Sequence, residues 1–188
     1  MTSQNQIPQL KTDRLLLRAF ELSDAKEVQR MAGNKKVSDT TATIPYPYPD
    51  GAAEEWISKH AEWFEKNLSV CWAIILKENQ RLVGCMDLIL SEAHQRAEIA
   101  YWVGEEFWGK GYCTEAAAAA IDYGFKERNL NKVTSHHMAE NAASGKVMIK
   151  NGMRQEGILR QHFFKNDKLH DMIFYGILRS EWRNPSKI

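Results

Sequence analysis

Ala97-Glu98-Ile99-Ala100-Tyr101-Trp102-Val103-Gly104-Glu105-Glu106-Phe107-Trp108-Gly109-Lys110-Gly111-Tyr112-Cys113-Thr114-Glu115 is the stretch from which the rest of the chain is read. Glu98 to Val103 holds the aromatic and β-branched residues that a pleated surface accommodates, and predicts a strand. Trp108-Gly109-Lys110-Gly111-Tyr112 predicts a glycine loop. The alanines from Ala116 to Ala120, behind Cys113-Thr114-Glu115, predict a helix, because no residue enters one at lower cost. Strand, glycine loop and helix N-terminus in that order make an anion site. Glycine lets backbone approach closely, free N–H groups point outward, and the helix dipole adds positive potential. Lys110 adds a full charge. The expected guest is a phosphate or pyrophosphate held by Gly109, Lys110, Gly111, Tyr112, Cys113 and Thr114.

Two common phosphate loops are excluded. Lys110 is followed by Gly111 where G-x-x-x-x-G-K-[ST] requires Ser or Thr, so this is not that loop; Gly109 and Gly111 lead to Thr114, so it is not G-x-G-x-x-G. The stretch instead resembles the acetyl-coenzyme A loop of the GNAT superfamily of N-acetyltransferases, [QR]-x-x-G-x-[GA]. On positions 108 to 113 Gly111 matches, while Trp108 and Cys113 depart from the pattern. The fuller string F-W-G-K-G-Y-C-T-E-A, from Phe107 to Ala116, is similar to the W-G-K-G-Y-A-T-E-A of the RimJ/RimL-like branch, the ribosomal-protein N-terminal acetyltransferases. T-x-R-L-x-L-R at Thr12 to Arg18 and I-P-Y-P-Y at Ile44 to Tyr48 also resemble that branch. So do N-x-x-S-x-x-V-x-x-K-x-G-M at Asn141 to Met153 and E-G-x-L-R at Glu156 to Arg160. The matches span nearly the whole chain, which implies one acetyltransferase domain over residues 1–188 with a core at about 10–180.

Bulk properties agree with a globular domain. The 188 residues are 44% hydrophobic and 26% charged, enough for a substantial core. A net charge of +1 excludes a nucleic-acid-coating protein and a polybasic membrane binder. No apolar run reaches the length of a membrane span. Met1 to Gln6 lacks the basic and apolar regions of a signal peptide. Three cysteines, Cys71, Cys85 and Cys113, do not form a disulfide framework. These features predict a cytoplasmic protein with reduced thiols, in which the Asn67-Leu68-Ser69 sequon has no role.

Taken in order, Thr12 to Arg18 predicts a first strand. Ser23 predicts the N-cap of a helix that carries Ala25, Val28, Met31 and Ala32 and ends at Gly33. Residues 34 to 50, with prolines at 45, 47 and 49, predict irregular chain. Asp50 is expected to cap a helix that buries Ala53, Trp56, Ile57, His60 and Phe64. Val70–Leu76, Leu82–Leu90 and the Glu98 strand predict an antiparallel meander. The alanine helix should turn Cys113, Ala117, Ala120, Ile121 and Gly124 inward and Glu115, Asp122 and Lys126 outward. Lys132 to Met138 then reads as a strand parallel to the Glu98 strand. Asn141 caps a short helix closed by Gly152, and residues 153–164 and 168–178 form a hairpin around Asn166-Asp167. The sum is an α/β fold: a mixed, twisted sheet of about seven strands with helices on both faces.

The resemblance implies acetyl-coenzyme A-dependent N-acetylation of a primary amine by direct attack in a ternary complex. In that family the pantetheine arm pairs with a splayed strand, here Tyr101, Trp102 and Val103, where a bulge would expose backbone N–H groups. Glu98 is the candidate base, because a carboxylate in an apolar strand is exposed, paired or functional. Its competing reading is an edge glutamate paired with Arg96 or Lys132. Relatives that keep a catalytic glutamate in the last hairpin have it where this chain has Gln161-His162-Phe163, which makes His162 a substitute base. Ser144 matches the serine placed near the cofactor sulfur, with a self-bonded helix serine as its alternative. Asn141 is a helix cap and, by resemblance, a pantetheine contact. His136 and His137, adjacent on a strand, face opposite sides and do not make a metal site. Cys113 lies on the packing stripe and has no triad for a nucleophile. Trp56 belongs to the core, whereas Tyr46, Tyr48 and Trp63 fit either core or acceptor pocket. The acceptor is expected to be a protein N-terminal amine. A small amine (polyamine or aminoglycoside) is the rival, and a non-catalytic coenzyme A-binding module is the rival of another class. No metal, nucleic acid or membrane is called for, and homo-oligomerisation is left open.

Overall fold

Eight strands, one more than the sequence predicts, form a single mixed sheet in the order β1-β2-β3-β4-β5-β6-β8-β7. The computed structural model describes residues 6–183, so the reading of Met1–Gln6 lies, but for Gln6, outside the described residues. The extra strand comes from a turn inside Thr12–Arg18. The Thr12 hydroxyl accepts the Leu15 N–H at 3.0 Å and the Thr12 N–H donates to the Leu15 carbonyl at 3.0 Å. That turn folds Leu10–Lys11, just ahead of the predicted strand, back as β1 on β2 (Leu15–Arg18). β3 (Ser69–Leu76) is buried along its whole length, β4 (Leu82–Ser91) follows, and β5 (Arg96–Val103) completes the antiparallel meander.

β6 (Lys132–Met138) is parallel to β5 and antiparallel to β8 (Lys168–Leu178), which carries β7 (Arg154–Lys165) on its outer edge. The hairpin turns on Asn166 and Asp167, at φ of 50° and 56°, values these residues tolerate. Every strand pair except β5–β6 is antiparallel, and that pair is also the shortest interior ladder. It runs only from Arg96–Lys132 to Glu98–Thr134. β6 then stays with β8 as far as Met138–Met172, while β5 stays with β4 in one unbroken register from Ser91–Arg96 to Gly84–Val103. The Ser135 hydroxyl closes the fork by donating to the Ile99 carbonyl at 2.9 Å. The expected bulge near Tyr101 is therefore not found against β4: the strands part because each follows its outer neighbour.

α1 (Ala25–Ala32), α2 (Lys35–Thr40), α3 (Ala52–Ser58) and α4 (His60–Glu65) cover one face of the sheet; α5 (Tyr112–Lys126) and α6 (Ala142–Lys150) cover the other. Small residues bring α5 close. A Cβ on Gly124 would stand 3.1 Å from Leu130 and 3.7 Å from both Leu88 and Val133. Trp72 of β3 meets Tyr123 of α5 edge to face at 5.3 Å.

Several boundaries differ from the sequence reading. Ser23 does not cap α1. Leu22–Asp24 is a short 3-10 turn, and the Asp24 carboxylate takes the Glu21 N–H at 2.9 Å and two guanidinium bonds from Arg18 at 2.7 and 2.9 Å. Residues 35–40 are helical, because the prolines begin only at 45 and Asn34 caps the turn by accepting the Lys36 N–H at 2.9 Å. Tyr46–Pro47 is cis. Gly51, at φ 78°, and not Asp50, is the N-cap of α3, and Lys59 interrupts the expected helix into α3 and α4. Ala53, Ile57 and His60 are buried as expected, with Trp56 and Phe64 half-buried. His60 sits against Phe20 and Trp56, and burial lowers its pKa to about 4. Glu115 turns not to solvent but to β1–β2, accepting from the Thr12 hydroxyl (2.6 Å), the Arg14 N–H (2.8 Å) and Arg14 Nε (2.7 Å).

The Arg18–Asp24 pair gives the fold a measurable acid dependence. Burial pushes the Asp24 carboxyl up, but the Arg18 hydrogen bonds, the Glu21 amide and the Arg18 charge outweigh it and hold the pKa below its ordinary value. A depressed carboxylate contributes stability that is present above the unfolded pKa, about 3.9, and is lost as pH falls through the folded one. Asp24→Asn should lose about 2 kcal/mol at pH 7 by urea denaturation, the range of a charge-assisted hydrogen bond. The gap to the parent should narrow below about pH 4. A gap of equal size at pH 7 and pH 3 would show that Asp24 acts by packing.

Candidate active site

The glycine loop has the geometry of an anion cradle. Gly109 and Gly111 stand at φ of 75° and 81°, values that favour glycine. Gly111 is the N-cap of α5; its carbonyl accepts the Glu115 N–H at 3.1 Å, and no side chain caps the helix. The first-turn amides of a fifteen-residue helix are thus left for a ligand. A Cβ at Gly109 would meet nothing within 4 Å, so the loop is open on that side. Arg14 fastens the other side. Its guanidinium donates to the Lys110 carbonyl at 3.0 Å and lies 4.9 Å from the Tyr112 ring centre, while Glu115 holds it from behind. The sequence reading had Arg14 inside a motif but gave it no role. Trp108 Nε1 donates to the Val103 carbonyl at 3.0 Å and ties the loop to the end of β5.

On the α5–α6 face, the fork is lined by half-buried Tyr101 and the first turn of α6. The Tyr101 hydroxyl lies 3.0 Å from the Ser144 carbonyl and 2.9 Å from Ser144 Oγ. Burial pushes the Tyr101 phenol well up, so it stays neutral and can donate. Asn141 accepts the Ser144 N–H at 3.2 Å as the cap of α6, and its amide donates to the Thr40 carbonyl at 3.0 Å. Asn151 ties α6 to α5 by donating to the Thr114 carbonyl at 3.2 Å. Burial pushes the half-buried Cys113 thiol up to about 12.

On the opposite face, four side chains from four neighbouring strands form a row. Glu98 Oε1 of β5 lies 3.1 Å from His136 Nδ1 of β6. The His136 ring is 5.1 Å from Phe174 of β8, and His162 of β7 meets Phe174 at 6.1 Å. Glu98 thus pairs with His136, and Lys132 pairs with Glu156 at 2.7 Å. His162 owes its place to a bulge. Leu159–Met172 and Phe163–His170 leave residues 160–162 opposite Asp171, whose carboxylate accepts the Gln161 N–H at 2.8 Å. His137 faces the other way, within 2.7 Å of where a Cβ on Gly145 would be and stacked on Tyr175. Beneath the row, burial raises the Asp87 carboxyl to about 6, opposed by its Ser69 hydrogen bond. Lys165 anchors the segment beside the row, its ammonium donating to the carbonyls of Ser38 (2.6 Å), Thr41 and Ile44 (3.0 Å). Lys165 went unread in the sequence and His136 was read only to set aside a metal site, because both roles depend on partners from other elements.

These features fit coenzyme A: an amide-capped cradle for its pyrophosphate and, beyond Ile99, strand edge without a β6 partner for an amide-bearing arm. The comparisons with known proteins agree. Residues 14–154 match the Acetyltransferase (GNAT) domain. The chain is 28% identical over 173 residues to the uncharacterized N-acetyltransferase YoaA of Bacillus subtilis (strain 168), covering 92% of this chain and 97% of that one. It superposes on the Vibrio cholerae spermidine N-acetyltransferase in complex with CoA and spermine with a TM-score of 0.78, at 25% identity, covering 90% and 98% of the two chains. RimL, a ribosomal L7/L12 alpha-N-protein acetyltransferase in complex with coenzyme A, shares the fold at a TM-score of 0.83 and 16% identity, over 91% and 98%.

Coenzyme A should therefore raise the melting temperature without added metal, by linkage of about 2.7 kcal/mol at a hundredfold excess over Kd. Gly111→Val introduces a β-branched side chain at positive φ and at the cradle, so its own melting temperature should fall. The decisive reading is the ligand-induced increment, which should largely vanish. An increment equal to the parent's would place the pyrophosphate elsewhere.

Proposed function

The chain belongs to the GNAT acetyltransferase family and is an N-acetyltransferase that uses acetyl-coenzyme A; from that premise we propose that it acetylates a protein N-terminal amine, as the RimJ/RimL-like branch does. The observation that carries the reading is the fork itself, with Tyr101 and Ser144 on one face and Glu98, His136 and His162 on the other. An amine and a thioester can meet there from opposite sides. Acetyl-coenzyme A supplies an activated acyl group.

The chain's own residues supply the rest. Gly109, Lys110, Gly111, Tyr112, Cys113 and Thr114 hold the pyrophosphate end, and the backbone of Tyr101, Trp102 and Val103 aligns the arm. Free N–H groups of that edge stabilise the carbonyl oxygen as it gains charge. Asn141 fixes the first turn of α6. Ser144, hydrogen-bonded to Tyr101, delivers a proton to the departing sulfur. Removal of the proton from the acceptor nitrogen falls to the ionisable face, where Glu98 and His162 are the candidates read from the sequence. The amine forms its bond to the acyl carbon directly, with no acyl-enzyme. Residues of about 10–180 constitute the catalytic domain, working in the cytoplasm.

The motif strings of the RimJ/RimL-like branch support a protein N-terminal amine as the acceptor. A polyamine is the second reading, favoured by the likeness to a spermidine acetyltransferase bound to spermine. A panel of peptides with free N-termini, polyamines and aminoglycosides, read by release of free coenzyme thiol, separates the two. The highest kcat/KM is expected for a peptide N-terminus, and a polyamine optimum would reassign the acceptor.

Ser144→Ala should lower kcat by about 10²-fold, the low end for acid–base catalysis, and leave coenzyme A affinity nearly intact. Weakened affinity with undiminished kcat would make Ser144 a capping or binding residue.

A further inference from the structure

We propose that the proton of the acceptor amine is taken by His136 Nε2, with Glu98 acting behind it as the carboxylate that orients the ring and balances its charge. The inference rests on the acetyltransferase reading and specifies which atom serves it. It begins with position. Glu98–Thr134 is the last pair of the β5–β6 ladder, and His136 is two residues further along β6. Strand alternation puts His136 on the same face as Thr134 and Glu98, and makes it the first β6 side chain on that face beyond the fork. Its ring reaches back across the gap to Glu98 at 3.1 Å.

Nδ1 is buried 3.1 Å from Glu98 Oε1, an ion-pair contact short of hydrogen-bond alignment; the flat of the imidazole lies tilted by 30° against Phe174 at 5.1 Å, and 27% of the side chain remains open. Nε2 has no hydrogen-bond partner among the described residues. One nitrogen on a carboxylate and the other free is the arrangement of an oriented imidazole base. Glu98 taken alone is less suited, because one of its oxygens is committed to His136 and a carboxylate is a weak base for an amine. An imidazole matches neutral pH far better, and Glu98 holds the His136 pKa above its ordinary value against the opposing effect of burial. His162 is exposed and touches the row only through Phe174.

In the step itself, the amine nitrogen forms its bond to the acyl carbon and loses one proton to Nε2. The Nδ1 proton stays on the ring, facing Glu98. The C–S bond breaks and the sulfur takes its proton from the Ser144 side. The imidazolium then gives its proton to water and the Ser144 side takes one back from water, which restores both groups. The titratable groups that bear on His136 are Glu98 on β5, Asp87 on β4 beside Glu98, and His162 on β7; Phe174 on β8 is uncharged.

The test compares His136→Ala, His136→Asn, Glu98→Gln and His162→Ala with the parent, using acetyl-coenzyme A and the best amine of the panel. Each is checked for an intact melting-temperature increment with coenzyme A, which shows a folded, cofactor-competent protein. Both His136 variants should lose about 10²–10³-fold in kcat at pH 7, and added imidazole should restore part of the rate of His136→Ala. Glu98→Gln should lose less and shift the acidic limb of the kcat/KM profile to lower pH, because the carboxylate no longer supports the imidazolium. That limb should disappear in His136→Asn. A deeper loss in Glu98→Gln than in His136→Asn would overturn the proposal in favour of the carboxylate. A deeper loss in His162→Ala would overturn it in favour of the hairpin. If the parent itself releases no thiol with any amine, the acetyltransferase reading fails first and takes this inference with it.

Discussion

The short parallel ladder between β5 and β6 is the constraint on which the site depends. A strand inside a sheet normally has both edges paired, because an unpaired buried amide or carbonyl costs free energy. Here β5 is committed to β4 in one register and β6 to β8 in another, and their directions agree only from Arg96–Lys132 to Glu98–Thr134. Ser135 satisfies the Ile99 carbonyl at the point of divergence, and Trp108 satisfies the Val103 carbonyl at the far end. Between them the β5 edge has no β6 partner, and a ligand that carries amides can complete the sheet. An open edge is ordinarily a hazard for aggregation; inside a fork roofed by α5 and α6 it becomes a binding surface.

Two cationic side chains keep the walls of this fork in place. Arg14 joins the β1–β2 turn to the glycine loop, using Glu115 as its counter-charge and the Lys110 carbonyl as its acceptor. It thereby fixes a loop whose glycines would otherwise leave it conformationally free. Lys165 does the corresponding work on the acceptor side. Its ammonium is shared by carbonyls of α2 and the chain after it, while neighbouring Asn166 donates to Asp39 at 3.1 Å. Burial lowers the Lys165 pKa, in keeping with an ammonium partly withdrawn from water. Each is a long-range bond from a flexible side chain to main-chain oxygen, and each joins elements the sheet ladder does not.

The two faces of the fork differ in character. The α5–α6 face holds neutral donors and acceptors, Tyr101, Ser144 and Asn141, suited to positioning a sulfur and an uncharged arm. The other face holds ionisable groups, Glu98, His136, His162 and Asp87, suited to moving a proton. Strand alternation enforces the separation: Glu98 and Tyr101, three residues apart on β5, necessarily point to opposite sides.

Local chemistry made the order of elements and much of the site legible in the sequence. The β3–β5 meander, the glycine loop, the alanine helix, the Asn141 cap and the last hairpin all rest on propensities or on residue types that few conformations tolerate. Glu98 stood out because a carboxylate in an apolar strand is conspicuous. Where the reading failed, a longer-range bond had overruled a local rule. The Thr12–Leu15 turn added a strand ahead of the predicted first one, Asn34 allowed a helix ahead of the prolines, and Arg14 drew Glu115 away from solvent. The fork lay beyond sequence alone, since it arises from two ladders whose outer partners, β4 and β8, lie far apart in the chain. So did the partner of Glu98: only the pairing of β5 with β6 brings residues 98 and 136 within 3.1 Å, and no local pattern records a contact across thirty-eight positions.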